Sequence, residues 1–250
     1  MNPSTVLVGV DLAWGDRNPD GVTILRFEDG LDHRMTAPPV TFNSRGDDAL
    51  FTTLASVESA TRLFVAIDAP LICPNAEGSR PVDKECTRRF GRYHAGCHPA
   101  NQRLCRRPLR IAAGLVGRGY ALTTETSSGA RIASEVYPHP ATIQLFGIEK
   151  TIKYKKGLVA SRRAEFLRYQ GCLRDCLGRE LPEWLEWDAH RALLAAPWSK
   201  PIEDQTDSIL CALIAYLHLR YEGRRTEAIG DDETGHILLP RSPAANVIPA

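Results

Sequence analysis

Two short apolar runs each end on an aspartate: Val6-Leu7-Val8-Gly9-Val10-Asp11 and Leu63-Phe64-Val65-Ala66-Ile67-Asp68. Runs of this length and β-branched content read as buried strands. A carboxylate placed where a buried strand leaves a sheet is costly unless it binds something. In open α/β sheets, ligands bind outside the carboxyl ends of the strands. Either aspartate alone could cap the turn that follows it, but the pair in matching settings points to one shared site. Glu135 lies near the end of a third run, Arg131–Tyr137, just before Pro138. Asp207 opens a helix with the apolar stripe Leu210, Leu213, Ile214 and Leu217, and Asp204 lies three residues earlier, on the same face. Helix capping and the helix dipole account for Asp204 or Asp207 without any ligand. Carboxylates gathered at one place also suit Mg²⁺ or Mn²⁺, hard cations that choose carboxylate oxygen and water. Two such ions about 3.5–4 Å apart stabilise the attacking and leaving oxygens of phosphoryl chemistry.

The elements that must position these acids follow from periodicity and turn chemistry. A strand over about Thr5 to Leu12, a turn at Asn18-Pro19-Asp20-Gly21 and a strand over Val22–Phe27 begin an antiparallel meander. A turn at Asp29-Gly30 and a weak third strand over Leu31–Thr36 complete it. Helices are expected over Asp47–Ser59, Asp83–Tyr93, Leu104–Arg118, Arg162–Leu177, Glu183–Ala195 and Asp204–Tyr221, and Gly223 stops the last. Pro138 and Pro140 flank His139 and break the run after Glu135, excluding a regular helical Glu135–His139 pair. His139 remains a candidate lining residue. Glu227–Gly230 and His236–Leu239 read as a closing hairpin. A meander followed by strands with helical crossovers gives an α/β fold: a mixed five-stranded sheet with helices on both faces, plus a small C-terminal β-hairpin. We read residues 1–240 as one domain with a helical insertion at about 72–125, and 241–250 as a loose tail.

The chain has 250 residues, 43% hydrophobic and 24% charged, enough for a sizeable core and ordinary for a globular protein. No apolar run reaches the length of a membrane span, and the N-terminus lacks the basic region of a signal peptide. Seven scattered cysteines then read as reduced thiols of a cytoplasmic protein. A net charge of +1 rules out a uniformly basic surface, but basic residues cluster. Arg103, Arg106, Arg107 and Arg110 form one group, and Lys153, Lys155 and Lys156 another. Solvated helix faces explain such clusters; contact with a nucleic-acid backbone is the functional alternative. Cys86, His94, Cys97, His98 and Cys105 follow no regular zinc spacing. The chain has neither a phosphate-binding P-loop nor a nucleophile elbow.

Gly9-Val10-Asp11-Leu12-Ala13-Trp14-Gly15, Ile67-Asp68-Ala69-Pro70-Leu71, Glu135-Val136-Tyr137-Pro138 and Asp207-Ser208-Ile209-Leu210-Cys211-Ala212 occur in this order. Together with Arg80–Cys86 and the ending Glu227–Pro240, this set resembles domain of unknown function 429, over nearly the whole chain. The resemblance implies an RNase H-like fold related to RuvC-type nucleases. That superfamily carries an aspartate on the first strand, an acid ending the fourth, and one or two more on the last helix. Asp11, Asp68 and Asp207 match those places, with Asp204 as a fourth and Glu135 within the family's own Glu-Val-Tyr-Pro motif. The expected function is a metal-dependent phosphodiesterase, a nuclease using Mg²⁺ or Mn²⁺ held by Asp11, Asp68, Asp204 and Asp207, with nucleic acid as substrate. The alternatives are an ATP-dependent phosphotransferase on the same fold and an inactive nucleic-acid- or protein-binding relative, since fold does not fix function.

Overall fold

A computed structural model describes residues 4–28, 31 and 35–242. The apolar alternation of the chain's first third makes a meander of β1 (Ser4–Asp11), β2 (Asp20–Glu28) and β3 (Val40–Ser44). Helix α1 (Asp47–Ala55) leads into β4 (Arg62–Ile67). Helices α2 (Pro81–Phe90) and α3 (Arg106–Gly117) fill the expected insertion, and β5 (Ala121–Leu122) and β6 (Arg131–Glu135) follow. Next come α4 (Pro138–Phe146), α5 (Val159–Glu180), α6 (Asp188–Leu193), α7 (Lys200–Arg220), β7 (Thr226–Asp231) and β8 (Gly235–Pro240). Among the described residues the main sheet runs β3-β2-β1-β4-β6-β5. Strands β1, β4, β6 and β5 are parallel, and β2 is antiparallel to both neighbours.

Two expectations need correction. The sheet has six strands among the described residues, not five, because the two residues of β5 extend the β6 edge; so short a run leaves no period-2 signal. The third strand is Val40–Ser44 rather than Leu31–Thr36, of which Met35 forms one isolated bridge to Phe27. Residues 32–34 and the Asp29-Gly30 turn lie outside the described residues, as does the tail from 243 onward. As expected, Glu135 and His139 form no helical pair, since Glu135 ends β6; Pro138 and Pro140 instead begin a helix not expected from the sequence. They stand at the start of α4, where the N–H that proline lacks has no intrahelical partner anyway.

Helices cover both sheet faces. Val6, Val8, Val10, Val22, Ile24, Val65 and Ile67 pack on Leu50 and Leu54 of α1 and Ile111 and Leu115 of α3. Leu7, Leu25, Phe64, Ala66 and Ile132 meet α7, with Leu210, Leu213, Ile214 and Leu217 buried as the stripe predicts. The contact with α7 is made at backbone distance. A Cβ on Gly9 would lie 2.2 Å from the Ser208 carbonyl oxygen, and one on Gly21 would lie 1.9 Å from that of Asp204. Two strand glycines therefore let the first half of α7 lie directly on β1 and β2, which brings Asp204 and Asp207 to the strand ends. Gly21 belongs to the strand rather than to the preceding turn.

The hairpin β7–β8 is tied to the main sheet by a Val136–Leu238 bridge and by Ser134 Oγ to His236 Nε2 at 3.1 Å. Asp232 meets His236 Nδ1 at 2.9 Å. This Ser–His–Asp chain has the order of a hydrolase triad, but Ser134 is 0% and His236 2% exposed, so no substrate reaches the hydroxyl. Among the described residues, no helix is long and apolar enough to cross a membrane.

Candidate functional site

Parallel pairing of β1 with β4 sets the first two aspartates side by side. Val10 pairs with Ile67, and the Asp68 amide continues the ladder to the Val10 carbonyl at 2.8 Å. From the opposite side α7 brings Asp204, 2% exposed, and Asp207, 0% exposed. Asp11 lies close to both Asp68 and Asp204. Asp207 sits behind them, where its Oδ1 accepts the Tyr154 hydroxyl at 2.7 Å and its Oδ2 meets Lys155 Nζ at 2.7 Å. Lys200, one turn before Asp204, reaches its Oδ1 at 2.5 Å and Glu203 at 2.8 Å. The four aspartates expected from the sequence thus converge.

The electrostatics follow from this crowding. Burial, reinforced by Asp207, Asp68 and Asp204 and opposed by Lys155, holds the Asp11 carboxyl well above the usual range. Burial and the facing Asp207 and Glu135 push Asp68 up to about 7, again against Lys155. Burial also raises Asp204, against Lys200. For Lys155 burial favours the neutral amine, but Asp207, Asp11 and Asp68 outweigh it and keep the ammonium charged.

A stability prediction follows. Folded-state pKa values raised above the unfolded ones mean that the folded protein holds more protons, so stability falls as pH climbs through the folded values. Burial lowers His190, His218 and His236, and lowers His139 to about 4, which opposes the trend up to a free-histidine pKa of about 6.5. Above that the carboxylates act alone. In EDTA the melting temperature falls between pH ~6.5 and ~8, and Asp68→Asn flattens the slope. A parent whose melting temperature rises across that window contradicts the clustered-acid picture.

Glu135, expected among the catalytic acids, is committed elsewhere. Arg80, 1% exposed, meets both of its oxygens at 2.7 Å and also binds Asp83 at 2.8 Å and the Ile72 carbonyl at 3.0 Å. Its carboxyl, pushed up to about 6 by burial against Arg80, braces the β6 end beside Asp68. Of the basic residues expected to meet phosphates, Arg107 is 2% exposed. It grips Asp20 through two contacts at 2.7 Å and Asp47 at 2.8 Å, a structural clamp with no face left for a phosphate. Lys155 is drawn into the acid cluster. Arg103, Arg106, Arg110, Lys153 and Lys156 are exposed; Arg110 binds Asp16 at 2.5 Å on the loop that carries Trp14. His139 stacks on Tyr137 at 5.6 Å. Cys86 pairs with Cys97, and Cys73 with Cys105, as two separate thiol contacts.

The acids open on a cleft with about 550 Å³ of empty space, lined by Asp11, Trp14, Asp68, Lys155, Lys200 and Asp204. A second hollow of about 330 Å³ adjoins it, sharing Trp14 and Asp68 and continuing past Pro70, Cys97, His98 and Tyr137. Trp14 is 37% exposed at their junction. Sequence reasoning missed Lys155 as a member of the cluster, and Tyr154, Lys200 and Arg80 altogether. The placement of Lys200 one turn before Asp204 was the one signal available.

Among the described residues, no group of three or more His, Cys, Asp or Glu side chains is set to hold a metal ion. The donor chemistry nevertheless fits a hard cation. Ionised carboxylates only accept hydrogen bonds, so the close approach of Asp11 to Asp68 and Asp204 favours a shared proton or a cation among them. Asp204 Oδ2 is buried and meets no donor among the described residues.

The sequence model of a family described as "Protein of unknown function (DUF429)" matches residues 9–234, and the chain belongs to that family. No curated protein and no solved structure matches the chain.

Proposed function

We propose that this protein is a divalent-metal-dependent phosphodiesterase that cleaves nucleic acid, built on an RNase H-like sheet. The observation that carries the reading is the gathering of Asp11, Asp68 and Asp204 on the wall of one open cleft. The RNase H-like part is supported by the positions of the acids: the first strand, the end of the fourth, and the last long helix. Mg²⁺ or Mn²⁺ would be held by Asp11, Asp68 and Asp204, with Asp207 behind them, and would activate water and polarise the phosphoryl oxygens. The protein's own groups prepare the ground. Tyr154 holds Asp207 in place. Lys155 and Lys200 offer ammonium groups to a phosphate entering the cleft. Arg103, Arg106 and Arg110 on one side, with Lys153 and Lys156 flanking Lys155, are the candidates for gripping the backbone.

The test is metal-linked stability together with cleavage. Millimolar Mg²⁺ or Mn²⁺ raises the melting temperature, because an ion that binds the folded state alone shifts unfolding by mass action. Labelled single-stranded, duplex and branched DNA and RNA are then assayed with Mn²⁺. A melting curve indifferent to Mg²⁺, Mn²⁺ and Ca²⁺ sinks the metal site. ATP turnover without cleavage of any nucleic acid favours a phosphotransferase instead.

Trp14 adds a preference within that reading. Its ring stands exposed between the acid cleft and the adjoining apolar hollow, where an unpaired base can stack while its phosphate faces the acids. Base–aromatic stacking is worth about 1–3 kcal/mol, so Trp14→Ala weakens binding of single-stranded oligonucleotides roughly tenfold. Trp14→Phe keeps most of it, and duplex binding changes little. Equal loss on both substrates in a fluorescence anisotropy titration removes the stacking role.

A further inference from the structure

We propose that Lys155 is the second cation of this centre, so that the site takes one divalent ion where a two-ion arrangement would take two. The inference rests on the phosphodiesterase reading above.

Lys155 lies on the segment between α4 and α5, with its side chain 27% exposed. It lines the cleft together with Asp11, Asp68, Lys200 and Asp204. Its ammonium is 2.7 Å from Asp207 Oδ2, while Asp207 Oδ1 is taken by the Tyr154 hydroxyl. The protein's own groups thus face both oxygens of the deepest carboxylate, Tyr154 through a hydrogen bond and Lys155 as an ion pair. An ion bridging through Asp207 would have to displace Lys155 or Tyr154. The other half of the cluster differs. There Asp11 lies close to Asp68 and Asp204, acceptor against acceptor, and Lys200 meets Asp204 Oδ1 while Asp204 Oδ2 has no hydrogen-bond donor among the described residues. The cluster thus divides into Asp207, held by Lys155 and Tyr154, and the Asp11–Asp68–Asp204 group, where Lys200 reaches one oxygen of Asp204 and the carboxylates otherwise face one another.

Charge points the same way. The four aspartates and Glu203, which shares Lys200 with Asp204, set five carboxylates against the ammoniums of Lys155 and Lys200 and leave up to three negative charges, of which one divalent ion neutralises two. A second ion would make the cluster net positive and set a dication beside a fixed ammonium, and like charges at such range repel strongly in a partly desolvated site. A tethered ammonium in this position can still neutralise charge developing on a phosphoryl oxygen. Being part of the chain, it cannot dissociate.

The experiment counts ions rather than turnover. Mn²⁺ is titrated into the metal-free full chain, followed by calorimetry and by the electron paramagnetic resonance signal of free Mn²⁺. The parent binds one ion per chain. Lys155→Met, which keeps most of the stem and removes the charge, binds two; Lys155→Gln is the second neutral variant should the first fail to fold. Lys155→Arg keeps the charge and stays at one. A parent that binds two ions, or folded neutral variants that remain at one, overturns the role of Lys155 while leaving the phosphodiesterase reading intact. A parent that binds none defeats both.

Discussion

Asp11→Asn abolishes Mn²⁺-dependent cleavage while leaving the metal-free protein at least as stable as the parent. Asp11 is the acid that contacts both Asp68 and Asp204, so its charge is the one every cation in the open half of the cluster must use. The amide keeps the size and shape of the side chain but removes that charge. The expected loss is on the order of a thousandfold or more, about 4 kcal/mol of transition-state stabilisation. Stability moves the other way. Burial and three neighbouring aspartates raise the Asp11 carboxyl well above its ordinary range, so ionising it in the empty site is unfavourable. An amide avoids that penalty and can donate a hydrogen bond to Asp68 or Asp204. Cleavage assays of both proteins, run beside melting curves in EDTA, decide the matter. Cleavage that survives in the variant locates the active centre elsewhere or exposes a contaminant.

The largest loss of stability belongs to Arg80→Ala. The guanidinium is buried against Glu135, Asp83 and the Ile72 carbonyl, while the Arg80 amide donates to Asp83 Oδ2 at 2.9 Å at the start of α2. Removing the side chain strands two carboxylates in the interior. Breaking a buried ion pair by deleting one partner costs roughly 3–5 kcal/mol, equivalent in a chain of this size to a melting temperature lower by on the order of 10 °C. Pairing Arg80→Met with Glu135→Met recovers part of that loss, because the charge left without a partner goes as well. Urea denaturation of the two single variants and the double variant measures the coupling. An Arg80→Ala protein that melts within about 2 °C of the parent would show that solvent reaches Glu135 and Asp83.

Asp11 and Asp68 were legible because a strand-ending carboxylate breaks an apolar run in a way that few other arrangements allow. The stripe of α7 was legible for the same reason: 3.6-residue spacing places Asp204, Asp207, Leu210 and Ile214 on one side whatever they pack against. Elements with weaker local signals were not. The two-residue β5 has no period of its own, and it exists because the β6 edge offers it hydrogen bonds. The helix α4 was hidden by its prolines, which break helices in the interior but suit the first turn. Gly21 read as a turn residue because composition alone does not distinguish a glycine needed for torsion from one needed for space. Only the Asp204 backbone lying where its Cβ would be identifies the second case.

Charge was the other limit. A run of lysines reads as a solvated or phosphate-facing patch, and nothing local separates Lys155 from Lys153 and Lys156. Arg107 and Arg110 differ as little in sequence, yet one is buried on Asp20 and Asp47 and the other half-exposed. What the sequence by itself determined is the set of acids and the elements that carry them, since period and strand-ending position are properties of neighbouring residues. What only the tertiary structure decided is which charges meet. Asp207 with Lys155, Glu135 with Arg80 and Asp20 with Arg107 are 52, 55 and 87 residues apart in the chain. Coulomb energy depends on the distance between folded side chains and on the solvent excluded around them, and neither is encoded in local spacing.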